Sequence, residues 1–344
     1  MNATTIGLDI AKNSFHVHGV NAHGKKVVSK SLTRKQVLPY FANLPPCLVG
    51  IEACGGAHYW GREIGKLGHT VRLMAPQFVK PYVKSNKNDA ADAEAICEAV
   101  TRPNMRFVPV KTVDQQSTLS LHRVRQSAVE ARTEQANMIR GLLMEYGIVI
   151  PQGIRAVPAN LPDILEDADN GIDGKMRELL RLMSDHLKSL DERVDILEAR
   201  IAEASRQDSR VARLMAVPGI GLLTASALVA TLGSMENFDG GREVSAWLGV
   251  VPRQHSTGGK TTLLGIGRRG DSYLRTLLIH GARAVIQYAE KRQDGLGAWI
   301  RKLLSRRNKN VVAVALANKN ARIVWALLKH GRDFKIDYHA AATA

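Results

Sequence analysis

Residues 4–10 read Thr4-Thr5-Ile6-Gly7-Leu8-Asp9-Ile10, and residues 49–53 repeat the situation as Val49-Gly50-Ile51-Glu52-Ala53. Ile6, Leu8 and Ile10 alternate, which is the period of a strand with one face in a core. Each stretch carries one carboxylate in an otherwise apolar strand, Asp9 in the first and Glu52 near the end of the second. An unpaired charge is costly to bury there, and a cation relieves that cost.

Outward from these stretches, Phe15–Val20 and Val27–Leu32 predict two further strands joined across Asn21-Ala22-His23-Gly24. Thr33 is placed to cap a helix through Ala42. Cys47–Ala53 then predicts a strand, Ala57–Leu67 a helix ending at Gly68, and Thr70–Ala75 a strand. A helix opened by Asn88 or Asp89 runs to about Val100. Residues 1–110 therefore predict a mixed α/β layer with helices on its faces. Asp89 and Asp92, three apart on the last helix, share a face. Four carboxylates from two strand ends and one helix predict a site for one or two hard divalent ions, Mg²⁺ or Mn²⁺, suited to phosphoryl transfer. The competing reading makes Asp89 a helix cap, Asp92 a partner of the helix dipole and Glu52 half of an ion pair. His16 and His18 alternate on a strand and read as structural histidines before metal ligands.

Residues 111–206 predict a helical middle. Met176, Leu180, Met183, Leu187, Leu190, Val194, Leu197 and Ile201 recur in steps of four and three, a heptad seam that predicts a coiled coil. Leu121, Val124, Ala128, Ala131, Gln135, Met138 and Leu142 have the same rhythm with smaller residues. The alternative is a pair of amphipathic helices packed within one chain. The connection from Gly147 to Gly174, rich in Gly, Pro and Asp, predicts a loop. Residues 207–344 predict a mainly α-helical region with helices at Ser272–Tyr288 and Asn310–Lys329. Between its helices lie the turn Pro218-Gly219-Ile220-Gly221 and a Gly-rich basic stretch, Gly258–Gly270.

The chain of 344 residues carries a formal net charge of +16. Its distribution is about +7, −3 and +12 over the three regions. A surplus of that size points to a polyanionic partner, and the basic ends are the parts that face it. Aromatic residues make up 5 %, too few for stacking on many rings to be the main binding mode. No stretch reads as the roughly 20 apolar residues of a membrane span, and Cys47, Cys54 and Cys97 form neither a CxxC pair nor a disulfide framework. These features predict a cytoplasmic protein with nucleic acid, and no membrane, as partner.

Several segments occur in an order that resembles the Piv-type DEDD transposases of bacterial insertion sequences, the bridge-RNA-guided recombinases. They are Gly7-Leu8-Asp9-Ile10-Ala11-Lys12, Ile51-Glu52-Ala53, Asn88-Asp89-Ala90-Ala91-Asp92-Ala93, Val217-Pro218-Gly219-Ile220-Gly221, and Leu248-Gly249 through Arg275. The resemblance spans nearly the whole chain. It implies an RNase H-like (RuvC-like) N-terminal domain, a coiled-coil middle, and a C-terminal transposase domain with a catalytic serine. Asp9, Glu52, Asp89 and Asp92 match the acidic tetrad. The serine falls at Ser256 when counted back from Ile266 and at Thr257 when counted forward from Pro252; Ser256 is preferred as the less hindered hydroxyl. Gly267-Arg268 stands where relatives often have Ser-Lys.

The resemblance further implies Mg²⁺ or Mn²⁺, DNA partners at the element ends and target, and an element-encoded non-coding guide RNA. It implies a dimer or tetramer, assembled through the coiled coil, in which acids and serine from different subunits meet, associated with the bacterial nucleoid. Gly219 and Gly221 are candidates to hold a phosphate on backbone N–H groups, or simply form a tight helix–helix turn. Lys260, Arg268, Arg269, Arg275 and Arg283 are candidate nucleic-acid contacts, or otherwise solvated surface. Three other readings compete: a RuvC-like junction nuclease using metal and water alone, an actin-like kinase or ATPase, and a non-enzymatic scaffold. A kinase needs a second glycine-rich nucleotide loop, which the sequence does not offer in a suitable place.

Overall fold

The computed structural model describes residues 3–84, 88–267 and 270–336. Backbone proximity divides the chain into two units, Met1–Gln115 with Leu232–Asp239, and Gln116–Thr231 with Gly240–Ala344.

The first unit is built on β1 (Thr5–Ile10), β2 (Ser14–Val20), β3 (Lys26–Thr33), α1 (Val37–Ala42), β4 (Leu48–Glu52), α2 (Ala57–Lys66), β5 (Thr70–Met74), α3 (Pro76–Val79), α4 (Asp89–Ala99) and β6 (Phe107–Val108). Its strands form one sheet in the order β3-β2-β1-β4-β5-β6. β1, β2 and β3 are antiparallel neighbours, β4 joins β1 and β5 joins β4 in parallel, and β6 closes the edge antiparallel to β5. The expected strands and helices of this region all form, with ends differing by a residue or two. Thr33 caps a 3₁₀ turn (Arg34–Gln36) that leads into α1, through a reciprocal capping box with Gln36.

Alternation sorts the sheet into two faces. Ile6, Leu8, Phe15, Val17, Val49 and Ile51 share a core with Val37, Phe41, Trp60 and Ile64 of α1 and α2. Phe15 meets Trp60 edge to face at 4.9 Å. The opposite face is covered by α4, whose Ala95, Ile96 and Ala99 cluster with Met74, Val79 and Val100. The carboxylates lie on this second face.

The second unit contains α5 (Val113–Met144), α6 (Ala156–Glu166), α7 (Gly174–Ser205), α8 (Ser209–Met215), α9 (Leu222–Leu232), α10 (Gly241–Trp247), β7 (Pro252–Thr257), β8 (Lys260–Ile266), α11 (Ser272–Gln287), α12 (Gly295–Leu304) and α13 (Lys309–His330). Leu180, Met183, Leu187, Leu190, Val194, Leu197 and Ile201 of α7 are all buried, the stripe that the heptad rhythm marks out. Their partners belong to the same chain. Ala128 of α5 clusters with Val194 and Leu197, and Ala136, Ile139 and Leu143 cluster with Leu180, Met183 and Leu187. Arg125 donates to Glu198 at 2.8 Å and Arg132 pairs with Asp191 at 2.8 Å, so the two helices run antiparallel.

The face that α5 turns inward is offset from the expected one. Ala128, Ala136, Ile139 and Leu143 are buried, whereas Val124 and Met138 are 41 % and 50 % exposed. The expected loop at residues 147–174 also needs correcting, because α6 forms inside it. Val157 and Leu161 of α6 are buried one turn apart. Arg177 holds the end of α6 in place by donating to the carbonyls of Leu165 (2.8 Å) and Ile172 (3.1 Å) and to Asn170 Oδ1 (2.7 Å). Tertiary packing and this arginine override the Gly, Pro and Asp of the flanks.

The expectation that nothing matches a membrane span in length is corrected by α13, which is 22 residues long with mean hydropathy 1.4 over its most apolar window. Val312, Leu316, Val324 and Leu327 of α13 are buried, and the helix packs on α10 and α11.

His122 of α5 is 1 % exposed. Its Nδ1 lies 2.9 Å from the Tyr273 hydroxyl of α11 and its Nε2 3.2 Å from Ser226 Oγ of α9, so one imidazole ties three helices together. Burial, with Arg125 adding to it, pushes its pKa from 6.5 down to about 4. Protonation therefore favours the unfolded chain: the stability is intact above about pH 6.5 and is lost as pH falls toward 4. A shift of that size corresponds to roughly 3 kcal/mol at full protonation. Urea midpoints taken at neutral pH and near pH 4.5 should fall steeply for the native protein and less for His122→Gln.

Candidate active site

Asp9 and Glu52 owe their placement to the glycines two residues before them. Alternation puts Gly7 and Asp9 on one face of β1, and Gly50 and Glu52 on the same face of the neighbouring β4, where Gly7 pairs with Gly50. A Cβ on Gly7 would sit 2.1 Å from the Ala93 carbonyl oxygen and 2.4 Å from the Cys97 nitrogen. One on Gly50 would sit 2.8 Å from Val100 Cβ. The backbone of α4 therefore lies directly on β1, and its first turn, with Asp89 and Asp92, precedes Ala93 at the contact.

That first turn is capped by Asn88, whose Oδ1 accepts from the Ala91 nitrogen at 2.8 Å. Asp89 is the first helical residue, so capping does not account for it. Asp9, Glu52 and Asp92 are half-buried and Asp89 is exposed.

The electrostatics show that Asp9 is crowded by burial and by two of these acids. Burial pushes the Asp9 carboxyl above its ordinary value, and Asp92 and Asp89 push it the same way. The Ile10 backbone N–H and His16 work against that rise. Cys54 is exposed at the surface, yet burial of its thiol raises its pKa, and Glu52 and Asp9 raise it further. All four acids are thus electrostatic neighbours of Asp9 or of Cys54. They do not form a closed ligand cage: among the described residues no three His, Cys, Asp or Glu side chains stand at metal-ligating spacing. An array of hard oxygen donors whose charges repel suits a divalent cation that keeps several outside oxygens. His16 faces Asp9 across the β1–β2 ladder, and its Nδ1 is buried without a hydrogen-bond partner. His18 is buried opposite Gly7, beneath α4, and burial lowers its pKa.

Two features of this site escape a reading by strand period alone. The first is the Gly-x-acid pattern common to both strands, Gly7-Leu8-Asp9 and Gly50-Ile51-Glu52, matched by the alanine-rich face of α4. The second is Cys54, which sits among the carboxylates.

In the second unit, the stretch expected to be a Gly-rich loop is a two-stranded antiparallel ribbon, β7–β8. Gly258 and Gly259 turn it with φ of +56° and +77°, the left-handed pair that a tight hairpin requires. Nearly every residue of both strands is exposed. Ser256 pairs with Thr261 and Thr257 with Lys260, so Ser256 and Thr257 point to opposite faces of the ribbon. Gln254, on the Ser256 face, donates from Nε2 to Ser256 Oγ at 2.7 Å.

The remaining candidates are dispersed over the second unit. Gly219, with φ of +88°, packs against Gly281 of α11, where a Cβ on Gly281 would lie 1.9 Å from the Gly219 carbonyl oxygen. Its glycine is thereby explained by packing, while Gly221 faces open space. Arg275 donates to the Leu248 carbonyl at 3.3 Å and Arg283 to Asn310 at 3.2 Å. Arg268 and Arg269 fall outside the described residues.

A mixed α/β sheet at the N-terminal end and a mainly helical C-terminal region fit a DEDD nuclease-like transposase. Two family profiles match the chain: the DEDD transposase profile of the IS110 group over residues 6–148, and the Transposase IS116/IS110/IS902 family over residues 211–295. A probable family 20 transposase of Pseudomonas aeruginosa is 54 % identical over 95 % of this chain and 97 % of its own. The transposase of insertion sequence IS1328 from Yersinia enterocolitica is 44 % identical, over 97 % and 99 %. That of IS1111A from Coxiella burnetii is 42 % identical, over 96 % and 91 %. The chain belongs to the IS110/IS116 family of DEDD transposases.

The contact at Gly7 gives a direct prediction. Gly7→Ala forces α4 off β1, costs about 1–3 kcal/mol by overpacking, and separates Asp89 and Asp92 from Asp9. Thermal denaturation should show the loss of stability, and any divalent-ion stabilisation of the native protein should shrink with it.

Proposed function

We propose that this transposase cuts and rejoins DNA for insertion-sequence transposition through a divalent-metal site at Asp9, Glu52, Asp89 and Asp92 and a nucleophilic serine, Ser256. The observation that carries the reading is the raised carboxyl of Asp9, crowded by Asp92 and Asp89 on a face built around Gly7. The strand order β3-β2-β1-β4-β5 supports an RNase H-like (RuvC-like) assignment for this sheet. Mg²⁺ or Mn²⁺, when bound, neutralises charge developing at the scissile phosphate. The four carboxylates hold that site, and they repel the DNA backbone until it is filled.

In the proposed chemistry Ser256 Oγ attacks the phosphorus. A serine O–P bond forms, the bond to the deoxyribose oxygen breaks, and the hydroxyl proton passes by way of solvent to the leaving oxygen. The freed hydroxyl of one strand then attacks the phosphoserine of its partner, which restores the serine and reseals DNA without an external energy source. The exposed ribbon suits a nucleophile that must reach a backbone from outside its own unit. Lys260, next to the turn, and the arginines Arg268, Arg269, Arg275 and Arg283 supply charge for phosphates, and Gly221 offers an open backbone at the start of α9.

Assembly as a dimer or tetramer brings acids and serine of different copies together. Because α5 and α6 cover the inner seam of α7, a coiled coil between copies would have to use another face of the helix. Leu179, Leu182 and Ile196, 42 %, 68 % and 56 % exposed, mark the outer face available to another copy. A non-coding RNA of the element guides target choice in this reading, and the protein acts in the cytoplasm at the nucleoid. Sedimentation equilibrium and sequencing of co-purified RNA test these two parts. A monomer at working concentrations, or bulk cellular RNA with no element transcript enriched, contradicts them.

Denaturing gels of stopped reactions test the chemistry. The native protein and Thr257→Ala should leave a covalent protein–DNA adduct, and Ser256→Ala none, with activity reduced by at least a thousandfold. An adduct that survives in Ser256→Ala but is lost in Thr257→Ala moves the nucleophile across the ribbon. Cleavage with no adduct in any variant favours a metal-and-water nuclease.

A further inference from the structure

The second unit holds a cavity of about 730 Å³ to which neither the acids nor the β7–β8 ribbon contributes. It lies between the start of α12, the second half of α13 and the segment that follows α13. Its walls are mostly apolar, with Leu296, Trp299, Ile323, Leu327 and Phe334 contributing. The volume falls in the range of sites that take small organic molecules, about 300–1,000 Å³.

Two features narrow what such a cavity accepts. Trp299 presents its indole to the space, and the Lys319 ammonium lies over that ring, 4.8 Å from its centroid. Burial of the ammonium and the nearby Arg322 push the Lys319 pKa down, so this cation stands in surroundings where an anion would be welcome. Arg332 and Lys335 line the same cavity. Among the described lining residues the one acid, Asp333, pairs with Arg213 at 3.2 Å. An aromatic, apolar chamber bordered by cations fits a neutral planar ring linked to a negatively charged group. In a strongly basic chain of a DNA-transposing family, nucleic acid is the polymer that offers such a pairing of base and phosphate.

We propose that this cavity receives one unstacked nucleobase of a single-stranded nucleic acid, packed against Trp299, with the adjoining phosphate held by Lys319 and the cations of residues 332–335. The proposal rests on the nucleic-acid partner of the family and is independent of both the metal site and Ser256. Sequence tolerance is expected, because stacking on an indole is open to every base.

Photo-crosslinking of the full-length protein tests it, using 12-nucleotide single strands with one 5-iodouracil in deoxyribo and ribo forms. The crosslink should map to Trp299 or Phe334. Capture of the deoxyribo or the ribo strand in preference identifies DNA or RNA as the source. Trp299→Ala and Lys319→Ala should each weaken single-strand binding about tenfold and leave duplex binding unchanged, while Trp299→Phe restores most of it. An abasic nucleotide at the crosslinked position should weaken binding to the native protein and have no further effect on Trp299→Ala. Crosslinks only outside the cavity overturn the proposal. So do variants that bind single strands as the native protein does, or an acyl chain found in the cavity of the purified protein by native mass spectrometry.

Discussion

The approach of α4 to β1 at Gly7 is the constraint on which the acidic site depends. Helices normally stand about 10 Å from a sheet, separated by side chains from both; here a missing Cβ lets the backbone of α4 touch the strand. The first turn of the helix is thereby drawn toward Asp9, and Asn88 caps it, which leaves the Asp89 and Asp92 carboxylates close enough to raise that of Asp9. Parallel pairing of β1 with β4 brings Glu52 onto the same face. The cost of this arrangement is concentrated on Asp9, whose carboxyl is raised by burial first and by its acidic neighbours next. Charge crowding of this kind destabilises a free carboxylate, a cost that a bound cation would relieve.

The second unit follows a different logic. Its helices are clamped by a few polar fixtures in apolar surroundings: His122 between Tyr273 and Ser226, Arg177 on the carbonyls at the end of α6, and the close contact of Gly219 with Gly281. From this rigid base the β7–β8 ribbon projects with both faces in solvent. Two-stranded ribbons are marginal by themselves, so partner contacts would stabilise it most, and the hydroxyls of Ser256 and Thr257 are already sorted onto opposite faces. The same unit also carries the aromatic and cationic cavity, whose lining includes no residue of the ribbon.

Much of this was legible in the sequence. Period-two alternation in residues 5–10 and the short apolar run at 47–53 locate the central strands, and the four-three rhythm from Leu180 to Ile201 locates the buried stripe of α7, because these patterns report burial directly. The acids stand out as charges in apolar or helical settings. What the sequence concealed depends on packing. The inward face of α5 is set by small residues such as Ala128 and Ala136, which carry little periodic signal, and α6 forms in a Pro-rich stretch because Arg177 and the α5–α7 core hold it. No strand signal marks the ribbon in the sequence, because its leucines, Leu263 and Leu264, are adjacent rather than alternating and both are exposed. The crowding of Asp9 by Asp92 and Asp89 follows from the close approach of α4 at Gly7, a glycine whose importance appears only when the helix that covers it is in place.

The claim that the four carboxylates share a cation is tested most directly by anomalous diffraction from crystals grown with Mn²⁺. The account predicts one or two manganese peaks on the α4 face of the sheet, coordinated by Asp9 with Glu52, Asp89 or Asp92, and absent from Asp9→Asn crystals. Manganese that binds only elsewhere, or not at all at saturating concentration with DNA present, would contradict it.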